Sequence, residues 1–140
     1  MFAALDISTS ALVAQRTRMT AIANNLANMN STRNEAGELE PYQPRHVIFQ
    51  TDPAKDGPFG AAGVRVEAVE TADVEPSWKF DPTHPDAVQE GDHKGYVAYP
   101  NISMMHEFTN AIEATRSYEA NVGVIEMSKD LMQQTLRILA

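Results

Sequence analysis

The sequence predicts a mainly α-helical chain with a small β-rich insertion, in which the N- and C-terminal helices form a coiled-coil-like pair and a β module lies between them. Three observations predict it. All eight prolines fall between Pro41 and Pro100, and six of the seven glycines between Gly37 and Gly95, so helix breakers are confined to the middle of the 140 residues. Apolar residues recur at helical spacing on both sides of that interval. Within it, short β-prone runs are bounded by proline and glycine clusters. The expected organisation is an N-terminal helix in 1–33, a β-rich module in 34–103 and a long C-terminal helix in 104–140.

In the first segment Leu5, Leu12, Met19 and Leu26 recur every seven residues, and Ser8, Gln15, Ile22 and Met29 complete a three–four spacing. That stripe is half polar at its second position. Ala4, Ala11, Ala14 and Ala21 widen it with small side chains, which lets another helix approach on more than one side.

The last segment is more regular. Met104, Phe108, Ala111, Thr115, Tyr118, Val122, Ile125, Lys129, Met132, Leu136 and Leu139 alternate steps of four and three, with only Thr115 and Lys129 polar. A helix over Met104 to Leu139 is roughly 54 Å long at about 1.5 Å per residue. Met105 and Ile112 extend the apolar band beyond a two-helix seam. Gly123 inside it costs roughly 1 kcal/mol relative to alanine, which points to close backbone approach by a neighbouring helix.

The middle contributes strand-like runs RHVIFQ (45–50), GVRVEAVE (63–70), SWKF (77–80) and GYVAYP (95–100). In the second, Val64 and Val66 alternate with charge. The stretch GPFGAAG (57–63) has the wrong spacing for a dinucleotide or phosphate loop and precedes a strand pattern, so it reads as a flexible loop.

Burying an apolar side chain gives about 1.5 to 3 kcal/mol, whereas ordering a residue costs about 1 to 2 kcal/mol of backbone entropy. A lone antiparallel helix pair therefore nets close to zero, and assembly with other chains is expected to supply the missing burial.

Composition narrows the function classes. A net charge of −8 opposes a nucleic-acid groove or a polybasic membrane anchor. Charge is uneven: +2 over residues 1–33, −8 over 34–103 and −2 over 104–140. The absence of cysteine removes disulfides, thiol nucleophiles and zinc–cysteine sites. The opening apolar stretch is cut by Asp6 and follows no basic region, unlike an ordinary cleavable signal, and no apolar run approaches the ~18 residues of a membrane span.

His46, His84, His93 and His106 are the only histidines. The densest polar cluster, Asp81, His84, Asp86, Glu90, Asp92 and His93, matches neither a calcium-loop nor a helical zinc spacing and reads as a polar turn. The sequence implies no catalytic residues, no metal and no cofactor. A small metal-dependent enzyme built on residues 81–93 and a coiled-coil adaptor are the competing readings.

Two terminal motifs resemble one family. SALVAQRTRMTAIANNLANMNS (10–31) is similar to the N-terminal helix motif of the bacterial flagellar rod and hook family, and ATRSYEANVGVIEMSKDLMQQTLRIL (114–139) to its C-terminal helix motif. The short chain, with DPTHPDA (81–87) followed by GYVAYPNI (95–102) leading into the last helix, is closest to the proximal-rod members. The acidic stretch within 30–49 departs from the pattern.

The resemblance implies a structural, non-catalytic subunit of a helical drive-shaft tube. Its terminal helices would lie in the inner part and its middle module would face outward. It implies type III export without a cleaved signal to the periplasm-spanning rod of the basal body, with no nucleic acid and no direct membrane insertion. The partners it implies are the chain's own copies, FlgB, FlgF, FlgG and, toward the base, FliE.

The subunit-contact residues expected on the first helix are Leu5, Leu12, Met19, Ile22 and Leu26, with the amides Asn24, Asn25 and Asn28. On the last helix they are Phe108, Tyr118, Asn121, Val122, Gly123, Ile125, Met132 and Leu136. The amides in IANNLANMN weaken an isolated helix. Their expected compensation is hydrogen bonding to adjacent chains, with Asn28 or Asn30 ending the helix.

Overall fold

The computed structural model describes residues 2–53 and 61–139. Most of the GPFGAAG stretch lies outside the described residues. The element order is α1 (Phe2–Ala27), β1 (Arg45–Asp52), β2 (Gly63–Thr71), β3 (Ser77–Phe80), β4 (Tyr96–Tyr99) and α2 (Met104–Leu139). Two terminal helices flank two small antiparallel sheets, as the confinement of proline and glycine predicts.

α1 carries three threonines, poor helix formers, whose hydroxyls donate back to carbonyls one turn earlier: Thr9 to Leu5, Thr17 to Val13 and Thr20 to Arg16. The helix ends at Ala27 rather than running to residue 33. Asn28 explains the stop. Its backbone N–H and its Nδ2 both donate to the Asn24 carbonyl, at 3.1 and 3.0 Å, while its own carbonyl and Oδ1 accept from the Ser31 N–H and hydroxyl.

β1 and β2 pair from Arg45 opposite Thr71 to Asp52 opposite Gly63, with an irregularity between Ile48 and Phe49. Glu67 is the extra residue on β2, a bulge that shifts the alternation so that Val69, opposite Val47, faces α1 as Val64 and Val66 do, although it stays 47% exposed. This sheet packs on α1, where the Val64 N–H donates to Ser10 Oγ at 3.1 Å. β3 and β4 pair from Ser77 opposite Tyr99 to Phe80 opposite Tyr96. Gly95 enters β4 with φ +82°, and a Cβ there would lie 3.0 Å from the Phe80 ring, so a residue without a side chain suits the turn on both counts.

The helices are antiparallel. Arg18 pairs with Glu113 at 2.9 Å, and Asn25 bonds Glu107 at 3.2 Å, so rising numbers on α1 meet falling numbers on α2. Continuing that register brings the start of α1 level with about residue 130, so the end of α2 overhangs by roughly 14 Å.

Among the described residues the buried apolar side chains are Ala14, Ala21, Ile22, Ala87, Val97 and Ala114. The leucine line is not the buried line of α1. Ser8, Ala14, Ala21, Ile22 and Asn25 are buried, whereas Leu5, Leu12, Met19 and Leu26 are only half-covered. Small side chains decide this, because Ala14 and Ala21 on α1 and Ala114 on α2, all at most 6% exposed, let the elements pack closer than a leucine row would.

Candidate subunit interface

Asn25 sits where α1, α2 and the start of β1 converge, 1% exposed. Its Nδ2 donates to the Arg45 carbonyl at 3.0 Å and to Glu107 Oε2 at 3.2 Å. Its Oδ1 accepts from the Arg45 N–H at 2.9 Å and the Tyr42 hydroxyl at 3.1 Å. One amide thereby satisfies two donors and two acceptors, its full capacity. The compensation expected from adjacent chains comes instead, for Asn25, from within the chain, and this corrects the sequence-based expectation for that residue. Burial raises the Tyr42 pKa above its ordinary value despite Arg45, with Glu107 adding to the rise, so Tyr42 stays protonated as a donor.

A second joint holds the segment after α1 to the loop before β4. Asp86 is buried, and its Oδ2 accepts from the Thr32 hydroxyl at 2.7 Å while its Oδ1 accepts from Arg33 Nε at 2.8 Å and from Arg33 Nη2. Arg33 Nη1 also donates to the Gly37 carbonyl at 2.7 Å. These bonds, Arg33's first, hold the Asp86 carboxyl below its ordinary pKa.

The polar cluster of residues 81–93 is dispersed by such local ties. Asp81 accepts from Thr83, His84 Nδ1 accepts from the Asp86 N–H, and His93 stacks on Trp78 at 4.1 Å. Among the described residues no group of three or more His, Asp or Glu is arranged to hold a metal ion.

Phe108 and Leu136 stand 51% and 62% exposed, whereas Tyr118, Asn121, Val122, Ile125 and Met132 are half-buried on the flank of α2 nearer α1, and Gly123, half a turn round the helix from Ala114, lies on the other side. Asn24 is exposed, and Asn28 is half-buried in the stop of α1. A Cβ built on Gly123 meets nothing within 4 Å, so no helix of this chain makes the close approach expected there. On the opposite side of α2 from Glu107 and Ala114, Met105 and Ile112 stand 76% and 57% exposed on either side of Phe108. The chain leaves one apolar face of its longest helix uncovered.

Residues 5–34 match the family described as flagella basal body rod protein, and residues 93–138 match the C-terminal family of the flagellar basal body rod FlgEFG proteins. Along nearly its whole length the chain is similar to flagellar basal-body rod proteins FlgC. It is 37% identical to that of Borreliella burgdorferi, over 99% of this chain and 97% of the relative. Identity is 36% to that of Bacillus subtilis, over 98% and 97%, and 37% to that of Salmonella typhimurium, over 95% and 93%. The chain belongs to the FlgC family of flagellar basal-body rod proteins.

As a FlgC-family protein it is a structural subunit of the proximal rod, one component of an assembled basal body. The two family matches fall on α1 with its stop and on the approach to α2 with the helix itself. Those are the elements that carry the uncovered faces of this rod subunit. Sequence reasoning missed Tyr42, Glu107 and Arg33 and placed Asp86 only in a polar turn, because the partners of these residues lie 17 to 82 residues away along the chain. The one available signal was Glu107, a charged residue on the inner side of an otherwise apolar helical band.

Proposed function

We propose that this rod subunit works as a passive drive-shaft element: copies and neighbouring rod proteins stack through their terminal helices into a helical tube that carries torque from motor to hook, with no catalytic step. The observation that carries this reading is the uncovered apolar face of α2, where Met105, Phe108 and Ile112 are all more than half exposed. Covering each such side chain is worth about 1.5 to 3 kcal/mol, and the thin, alanine-rich interior leaves that stabilisation to be collected between chains. Contacts between unlike surfaces that do not close on themselves extend into a helical filament, and many repeated helix contacts resist twisting.

In this reading the terminal segments, residues 1–33 and 104–140, lie toward the inner part of the tube and residues 34–103 face outward. Leu5, Leu12, Met19, Leu26 and Asn24 of α1, with Phe108, Tyr118, Asn121, Val122, Gly123, Ile125, Met132 and Leu136 of α2, take part in contacts between subunits. Asn25, Ile22 and Asn28 act through the chain's own packing. Neighbours are its own copies, FlgB, FlgF and FlgG, with FliE toward the base. The chain reaches the periplasm-spanning rod through the flagellar type III apparatus without a cleaved signal. No described helix is long and apolar enough to cross a membrane.

The test is electron microscopy of cell envelopes from a strain lacking this chain. Basal bodies with rings but no rod, restored by the intact gene, are the expected result. Complete rods in the deletion strain would contradict the reading and favour an adaptor that pairs its helices with a partner elsewhere.

A further inference from the structure

The outer side of α1 carries a groove that the chain's own α2 cannot reach. Thr9, Val13 and Thr17 are spaced one turn apart there and line a mainly apolar groove of about 400 Å³ with Val64 and Val66 of β2. Val13 is 52% exposed. The hydroxyls of Thr9 and Thr17 are spent on backbone carbonyls, which lowers the polarity they bring to the groove. Asp6 marks the end nearest the start of α1. α2 packs along the other side of α1, through Arg18, Met19 and Asn25.

The end of α2 has matching chemistry. Val124, Met127, Leu131 and Ile138 follow steps of three, four and seven residues, which places them on one helical stripe, and they are 38%, 62%, 56% and 84% exposed. Beyond about residue 130 α1 no longer runs alongside. Arg137 is the basic residue of the last turn, about 100° round the helix from Ile138 at the edge of the stripe. The stripe spans about 21 Å and the groove from Asp6 to Thr17 about 16 Å at 1.5 Å per residue.

Resting on the rod reading, we propose that this groove receives the α2 end of a second copy of the chain, antiparallel to α1. Setting Leu131 beside Val13 brings Met127 beside Thr17 and Ile138 level with Asp6, with Arg137 one residue away and its long side chain in reach of the Asp6 carboxylate. Charge favours this direction twice: the Arg137 cation meets the Asp6 carboxylate, and the negative end of one helix dipole lies near the positive end of the other. Groove and stripe are different surfaces of one molecule, so each copy offers both and the contact propagates head to tail.

The chain contains no cysteine, so introduced thiols report only this contact within it. Val13→Cys and Leu131→Cys chains are co-expressed in the strain lacking the native chain, and basal bodies are purified and oxidised. A disulfide-linked dimer is expected from that pair and is expected to be lost when Leu131→Cys is replaced by Met105→Cys. Thr17→Cys with Met127→Cys repeats the measurement where the first pair does not assemble. Complete rods without a dimer from either pair would overturn the proposal and leave the rod reading intact. Val13→Cys joined to a protein of another mass would overturn the choice of occupant. Absence of the native chain from basal bodies would overturn both.

Discussion

Asn25 shows how one side chain can reverse its own propensity. In an isolated helix its amide competes with the backbone, yet here it joins three segments and leaves none of its hydrogen-bonding capacity unused. Asn25→Ala deletes four bonds at a site 1% exposed and leaves the Glu107 carboxylate and the Arg45 N–H without this partner. A loss of about 1 to 3 kcal/mol is expected, measured by urea unfolding of the isolated chain. Asn24→Ala, on the exposed side, should change stability by less than about 0.5 kcal/mol. The unusual density of asparagines was legible in the sequence. Their division of labour was not, because Asn24, Asn25 and Asn28 differ only in which way a 100° step turns each of them. Gly123 was legible in the same partial way: its place in the seam is evident, but the open space beside it within the chain depends on where α1 lies.

At the scale of elements, both helices and all four strands could be read from proline and glycine confinement and from apolar spacing, with strand limits within two residues of those found. The joints between elements could not. The Asp86 joint links residues more than fifty positions apart, and no local pattern announces such a tie. It has a pH signature. The folded chain holds the Asp86 carboxyl below its ordinary 3.8 through Arg33 and Thr32, so folding favours the ionised form. The stabilisation is complete above the ordinary value and disappears as pH falls through the lowered one. Thermal unfolding between pH 6 and 2 should therefore show acid destabilisation that is reduced in Asp86→Asn, with the difference between the two proteins largest above pH 4 and smallest at the acid limit. Equal acid sensitivity in both would assign the effect to other carboxyls. The rotation of the buried line on α1 away from the leucines was likewise hidden, since periodicity identifies stripes but not which stripe the chain itself covers.

For the whole molecule, the sequence's imbalance between long apolar helices and a small interior becomes a division of surfaces. Alanines, Asn25 and Glu107 hold the chain together, while larger apolar side chains on α2 stand outside. The central claim is that this outer face is covered in the rod, and methionine oxidation measures that coverage without altering the chain. Oxidation to the sulfoxide follows exposure, and Met105 and Met127 are 76% and 62% exposed in the isolated chain. Brief peroxide treatment followed by mass spectrometry should find both readily oxidised in the purified chain and protected in intact basal bodies, with protection lost when the rods are dissociated. Equal oxidation of Met105 and Met127 in the two states would mean that the exposed face of α2 stays in water within the rod, and that the chain assembles through some other surface.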